Sequence, residues 1–298
     1  MKQNKLGPLL ILLAGCFWGS MGLFVRTLQG YGFGPMPITS VRLVLAGLFF
    51  ALLLLLKDPR GFRLRVRDIP LFLGLGLASV LFFTLCYFSA ISLLPLSTAA
   101  ILLYTSPIWV TLLSALVFKE RLTGRKLLAL GLAFGGCVLV SGFSGGGISM
   151  LGLLLGLGSG LGYGLYSILG AIALRRYSPL TVTTYTFLIA GLGSCFVCPP
   201  RETLALFQSA PGSHGLLALL LAATALITAV IPFLSYTKGL QSVPAGKAAI
   251  LATVEPLVAA LFGALVFHEA LTPLSCLGIL LILAAVVLLN RPGKTEKA

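Results

Sequence analysis

The chain has 298 residues, of which 58% are hydrophobic and 9% charged, with a formal net charge of +14 and a mean hydropathy of +1.07. A soluble domain carries about 25% charged residues, because its surface must face water; this chain has too few to cover a soluble globule, and its apolar runs near 20 residues are long enough to cross a bilayer as helices. The positive excess would suggest nucleic acid in a soluble protein, but here the basic residues sit in short loops between apolar runs, so no nucleic-acid partner is expected.

Lys2 and Lys5 precede an apolar run that contains Leu13-Ala14-Gly15-Cys16, which imitates a lipoprotein cleavage box. The run continues to Val25, beyond the 7–15 or so residues of a signal h-region, so 7–25 is read as the first span, with Trp18-Gly19 inside it. A short loop holding Arg26, Pro35 and Pro37 follows. The second span covers 37–56, with Arg42 within it, and is followed by a basic loop at 57–68. The third and fourth spans are 69–93 and 95–118, and Lys119, Glu120, Arg121, Arg125 and Lys126 mark the end of the fourth. The fifth is 127–140.

An uncharged Gly/Ser-rich connector at 142–149 separates two halves. The sixth span, 151–174, ends at Arg175-Arg176; the seventh is 179–197, stopped by Pro199-Pro200, and a polar loop at 201–214 follows. The eighth, 215–240, contains Pro232; the ninth and tenth are 244–267 and 272–290, and the tail 291–298 is basic. The fold class expected is therefore all-α integral membrane: ten transmembrane helices, five in each of two repeats, at 7–141 and 150–290.

The repeat is visible in the sequence itself. Residues 99–140 and 248–289 match without a gap at 17 of 42 positions, including Pro107/Pro256, Glu120/Glu269 and Thr123/Thr272. Chance likeness between Leu/Ala-rich segments would not align a proline, a glutamate and a threonine in register, so the chain is a duplicated unit. Five is odd, so the second copy enters the membrane upside down relative to the first. Lys and Arg favour cytoplasmic loops; with both termini cytoplasmic, 18 of the 21 fall inside, Arg26 and Arg201 outside, and Arg42 within a span. The turn KERLTGRK after span four has become HEALTPLS after span nine, losing its positive charges as inversion requires.

Gly152, Gly156, Gly160 and Gly164 recur every four residues in span six, and Gly15-x-x-x-Gly19 in span one; small residues at that spacing let helix backbones approach closely. Cys16, Cys86, Cys137, Cys195, Cys198 and Cys276 lie in apolar runs and read as packing residues, Cys195-x-x-Cys198 included. No metal or cofactor is expected, and no P-loop sequence is present for ATP.

The two five-span halves, Trp18-Gly19, Arg42 and the "AAIL…P…E.LT" units of spans four and nine resemble the EamA family of the drug/metabolite transporter superfamily, over roughly 7–141 and 150–290. The resemblance implies a bacterial inner-membrane carrier for small metabolites, some members exporting amino acids and related compounds. It also implies a central cavity lined by spans one, three, four, six, eight and nine, and coupling that ranges from facilitation to exchange to proton linkage.

Charge inside a span is costly and invites a functional reading. Glu255, beside Pro256, could load a proton, bind a substrate amine, or form a fixed ion pair with Lys247 or Arg42. Lys247 could instead snorkel to the interface, and Arg42 could attract a substrate carboxylate or meet a backbone carbonyl or a phospholipid headgroup. Trp18, Tyr87, Tyr104, Tyr163 and Tyr236 are candidates for a cavity that holds an amphipathic solute; Tyr87 and Tyr236 are 149 residues apart, the repeat offset. Pro107, Pro232 and Pro256 are candidate bends. Inverted repeats that rock about a central site are a transporter device. The expected function is a secondary exporter of small amphipathic metabolites, working with a small-molecule solute and the bilayer as a monomer or homodimer. An importer of the same fold, or a lipid-modifying membrane enzyme, are the alternatives.

Overall fold

The computed structural model describes residues 6–141, 149–268 and 272–290; Lys2, Lys5, Glu269 and most of the connector and the tail fall outside them. Ten helical spans long and apolar enough to cross a membrane follow one another: span one Leu6–Gly30, span two Pro35–Lys57, span three Val66–Leu93, span four Thr98–Phe118, span five Gly124–Ser141, span six Met150–Ala173, span seven Pro179–Val197, span eight His214–Leu240, span nine Ala245–Phe267 and span ten Pro273–Asn290. Large apolar side chains such as Leu116, Leu154, Phe196 and Leu280 point outward, as helices facing lipid require.

The packing is symmetric between halves. Span one packs on spans eight and nine, and span six packs correspondingly on spans three and four. Span three packs on seven as span eight packs on two, while the pairs two–seven, four–nine and five–ten map onto themselves. This is the exchange expected of a two-fold axis lying in the membrane plane, which relates two repeats of opposite direction.

Local geometry repeats at the same offset. Span four is interrupted between helices Leu96–Leu103 and Ser106–Phe118, and span nine between Ala245–Leu251 and Val254–Phe267. Pro107 and Pro256 lie just beyond the breaks and lack the N–H that the carbonyl four residues back would receive. Those carbonyls face glycines instead: a methyl group at Gly160 would lie 3.3 Å from the Leu103 oxygen, and one at Gly15 would lie 3.0 Å from the Ala252 oxygen. Both spans then end on a residue in the left-handed conformation, Lys119 at φ 56° and His268 at φ 54°. After each of these turns a threonine caps the next span: Thr123 Oγ1 accepts from the Lys126 N–H at 3.2 Å, and Thr272 Oγ1 from the Ser275 N–H at 3.1 Å. Spans three and eight each widen into π-type turns, at Gly74–Leu81 and Leu226–Val230, the latter just before Pro232.

Glycines set the crossings. The span-six stripe runs down span four: methyl groups at Gly156 and Gly160 would collide with Leu102 and Thr105, and one at Gly164 would lie 3.3 Å from the Ser106 oxygen. At the crossing of spans five and ten, Gly136 and Gly278 face each other, each with room for no more than a hydrogen.

Three details differ from expectation. Arg26 is not in a loop: after a break at Ser20 the first span resumes as helix Met21–Gly30 and carries it. The loop after span seven is partly helical, Pro200–Ser209. Arg42 lies about two turns into helix Pro35–Lys57 and is 6% exposed, buried among protein groups.

Candidate functional site

The breaks in spans four and nine face each other across the middle of the bundle, with spans one, six and eight around them. An aromatic cluster fills this space. The Trp18 ring lies 5.9 Å from Tyr163, 5.1 Å from Phe233 and 5.4 Å from Tyr236. Tyr166 stands edge-on to Phe233 at 5.0 Å, and Phe83 of span three meets Tyr163 at 5.4 Å. Such offset and edge-on pairs add to the burial of the rings themselves.

The hydroxyls of Tyr163, Tyr166 and Tyr236 are satisfied by neighbouring side chains. Tyr236 Oη and Ser167 Oγ are 2.7 Å apart, and Tyr166 Oη and Thr237 Oγ1 2.6 Å. Tyr163 Oη donates to Glu255 Oε2 at 3.1 Å. Tyr87, Tyr104 and Arg42 lie within electrostatic reach of the same carboxylate. Arg42 does not pair with it directly; its guanidinium points Nη1 at Met21 Sδ, 3.0 Å away, and leaves Nε buried without a partner. Glu255 is therefore the electrostatic centre of groups drawn from spans two, three, four and six. Lys247 is half-buried in the first helix of span nine, two turns before Glu255.

A small cavity lies at this centre, walled by Trp18, Ser106, Tyr163, Tyr166, Ser167 and Tyr236, with Ala249 and Ala252 of span nine beneath. Trp18, Tyr163 and Tyr236 stand on its wall; Tyr87, Tyr104 and Glu255 do not line it, and Phe83 of span three packs against the wall residue Tyr163. Its volume is about 20 Å³, room for a water molecule and not for an amino acid. A solute larger than water would need this cavity to widen.

Two cation–π pairs lie at the ends of spans one and nine and of spans six and four. The Arg26 guanidinium lies 4.3 Å from the centre of the Phe267 ring, and that of Arg175 lies 5.3 Å from Phe118. Arg26 and Arg175 are 149 residues apart, and so are Phe118 and Phe267. Each pair fastens the far end of span one or six to the far end of span nine or four, at opposite ends of the bundle. On the Phe118 side a second fastening exists: Lys126 Nζ donates to Glu120 Oε2 at 2.6 Å, both packed against Gly246 at the start of span nine. Arg125 there donates to the Leu288 oxygen of span ten through Nε, at 2.7 Å. The turn after span four is held by Lys119, Thr123 and this ion pair.

Residues 5–142 and 150–291 each match the model of the EamA-like transporter family. The chain belongs to that family. An uncharacterized transporter of Archaeoglobus fulgidus is 32% identical over 285 residues, spanning 95% of this chain and 96% of its own. The uncharacterized transporter YwfM of Bacillus subtilis is 26% identical over 300 residues, spanning 100% and 97%. YicL of Salmonella typhimurium, an uncharacterized inner membrane transporter, is 25% identical over 300 residues, spanning 97% of each. A crystal structure superposes with a TM-score of 0.77 over 95% of this chain and 96% of that one; at 19% identity it shows the shared fold.

The EamA repeats are not chemically equal at the centre. Where the second repeat places Glu255 after its break, the first places Ser106 on the cavity wall. Trp18 likewise stands where the second repeat has Ser167. Sequence reading left out Ser167, Thr237, Phe233 and the two cation–π pairs. Only the pairs carried a readable signal, since both their members recur at the repeat offset. Among the described residues no group of His, Cys, Asp and Glu is arranged to hold a metal ion, and the cysteines are free.

Proposed function

We propose that this multi-pass membrane transporter is a secondary carrier exporting small amphipathic metabolites, amino acids or related compounds among them, by alternating access. The observation that carries this reading is the Tyr163–Glu255 pair beside an aromatic-walled cavity at the facing helix breaks. Aromatic faces suit an apolar side chain, and the carboxylate suits an amine or a proton. Trp18, Tyr87, Tyr104, Tyr163, Tyr236 and Glu255 are the substrate-binding set of this reading. Arg42, Lys247 and Glu255 are its charged coupling groups, and Pro107, Pro232 and Pro256 its bends. The two halves are 7–141 and 150–290, joined by 142–149, with both termini cytoplasmic and the chain in the bacterial inner membrane, the location named for the Salmonella relative.

The small cavity and the matched Arg–Phe pairs fit a carrier with both ends fastened. To load a solute it must release one pair and part spans one and nine, or six and four. Alternating access follows if only one pair opens at a time.

Flux of radiolabelled amino acids in proteoliposomes tests the reading. Gradient-driven loss of solute through protein in its native direction supports export; net uptake in that direction makes it an importer. Turnover of lipid without movement of any solute under any gradient would replace the carrier with an enzyme.

A further inference from the structure

A second cavity lies away from the centre. About 300 Å³ in volume, it lies where the loop after span two meets the start of span seven. It is lined by the guanidinium-bearing residues Arg60, Arg63, Arg65 and Arg176, with Asp58 the acid on its wall. That size falls at the lower end of small-molecule sites. Tyr177, Ser178 and Thr181 complete the lining with hydroxyls.

A preference for basic cytoplasmic loops explains charge in the loop after span two, but not its arrangement. Three of the arginines come from the first repeat and one from the second, and the walls are built. Asp68, 7% exposed, accepts from Arg176 Nη1 at 2.8 Å and from Tyr177 Oη at 2.7 Å. Tyr177 Oη in turn accepts from the Arg65 N–H at 3.2 Å. Tyr185 Oη donates to the Phe62 oxygen at 2.7 Å, and Gly61 packs so close to Thr181 that a methyl group would lie 2.8 Å from its hydroxyl oxygen. The loop is thus pinned to span seven before Arg63 and to Tyr177, just ahead of that span, after it. By contrast Arg175, next to Arg176, turns away to Phe118.

We propose that this cavity binds a phosphate-bearing anion, either the headgroup of an anionic phospholipid or a free phosphate. Planar guanidinium groups recognise phosphate oxygens in bidentate fashion, and basic pockets at the cytoplasmic ends of spans are suited to lipid headgroups. Arg60, Arg63 and Arg65 face the anion, Ser178 and Thr181 offer neutral hydroxyls, and Asp68 orients Arg176 from outside the site. The site does not depend on what the central cavity carries.

The test uses the full-length protein and measures its melting temperature. One arm titrates inorganic phosphate into delipidated protein in neutral detergent against a chloride control of equal ionic strength. The other compares nanodiscs of phosphatidylcholine alone with nanodiscs containing phosphatidylglycerol. The proposal expects saturable stabilisation in at least one arm. It further expects the combined Arg60→Gln, Arg63→Gln, Arg65→Gln variant to melt like the wild type without anion and to bind roughly tenfold more weakly or worse. Arg201→Gln, outside the cavity, should respond as wild type. Stabilisation by phosphatidylglycerol alone identifies a lipid site, and stabilisation by phosphate as well identifies a site for the free anion. No saturable shift in either arm, or an equal shift in the triple variant, overturns the proposal. Because transport is not measured, failure here is distinct from failure of the carrier reading.

Discussion

Arg26 and Arg175 occupy the same position in the two repeats, and each lies over the phenylalanine that ends a broken span, at 4.3 Å and 5.3 Å. A solvent-exposed cation–π pair contributes about 0.5–1 kcal/mol. If each pair is a fastening of one end, removing it should favour opening at that end about 2- to 5-fold, by the Boltzmann factor of that energy. A cysteine at Ser106 on the cavity wall reports this, in a background lacking reactive native cysteines. Arg175→Gln should raise its labelling from the Phe118 end, and Arg26→Gln from the Phe267 end. Equal labelling in both variants would reduce the pairs to packing.

Glu255 accepts from Tyr163 Oη, and a glutamine carbonyl can accept the same bond. Glu255→Gln should therefore fold and melt within about 1 kcal/mol of wild type. What it loses is a proton that can come and go. Flux measured across a pH series should vary in the wild type and flatten in this variant. An unchanged pH profile would remove Glu255 from coupling.

Close backbone approach makes Gly19 a sharp packing test. A methyl group there would lie 2.6 Å from the Glu255 oxygen and 2.7 Å from Val258 Cβ, neither of which can swing aside. Gly19→Ala should destabilise by about 1–3 kcal/mol, the usual range for overpacking. Gly22, three residues on, has nothing within 4 Å. Gly22→Ala should be neutral or stabilising, since alanine favours the helix. Thermal melts of the two variants in the same detergent compare them directly.

The ten spans and their pairing into halves were legible because length, apolar runs and the repeat are one-dimensional signals. Of the aromatic candidates with polar tips, Trp18, Tyr163 and Tyr236 lie on the cavity wall. Tyr87 and Tyr104 lie off that wall but within reach of the Glu255 carboxylate, a placement that spans apolar all round do not announce. Arg26 looked like the start of a loop, yet helix resumes beyond Ser20. The π-type turns at Gly74–Leu81 had no proline to announce them. The loop cavity of arginines was read as topology because its walls come from segments more than a hundred residues apart.

Ser167 and Tyr236 form a buried hydroxyl pair at 2.7 Å. Removing one member leaves the other unsatisfied, which costs about 1–3 kcal/mol, while removing both can be nearly neutral. Ser167→Ala and Tyr236→Phe should each destabilise, and the double variant should destabilise by less than their sum. Melting temperatures of the four proteins close the cycle. Strict additivity would mean the two hydroxyls do not interact in the membrane-embedded protein.

Inversion of the halves predicts which loops meet which side. Arg67, exposed at the start of span three, and Glu202, exposed in the helix after span seven, should lie on opposite faces of the membrane. With both termini cytoplasmic, Glu202→Cys should react with an impermeant maleimide on intact cells, and Arg67→Cys only after permeabilisation. Cys276 is exposed among the native cysteines and must be replaced by serine in both backgrounds. The reverse pattern would turn the molecule over, moving the Lys126–Glu120 fastening and the arginine cavity to the outer face. Reaction of both from outside would break the odd number of crossings between them, and with it the two-fold relation on which alternating access depends.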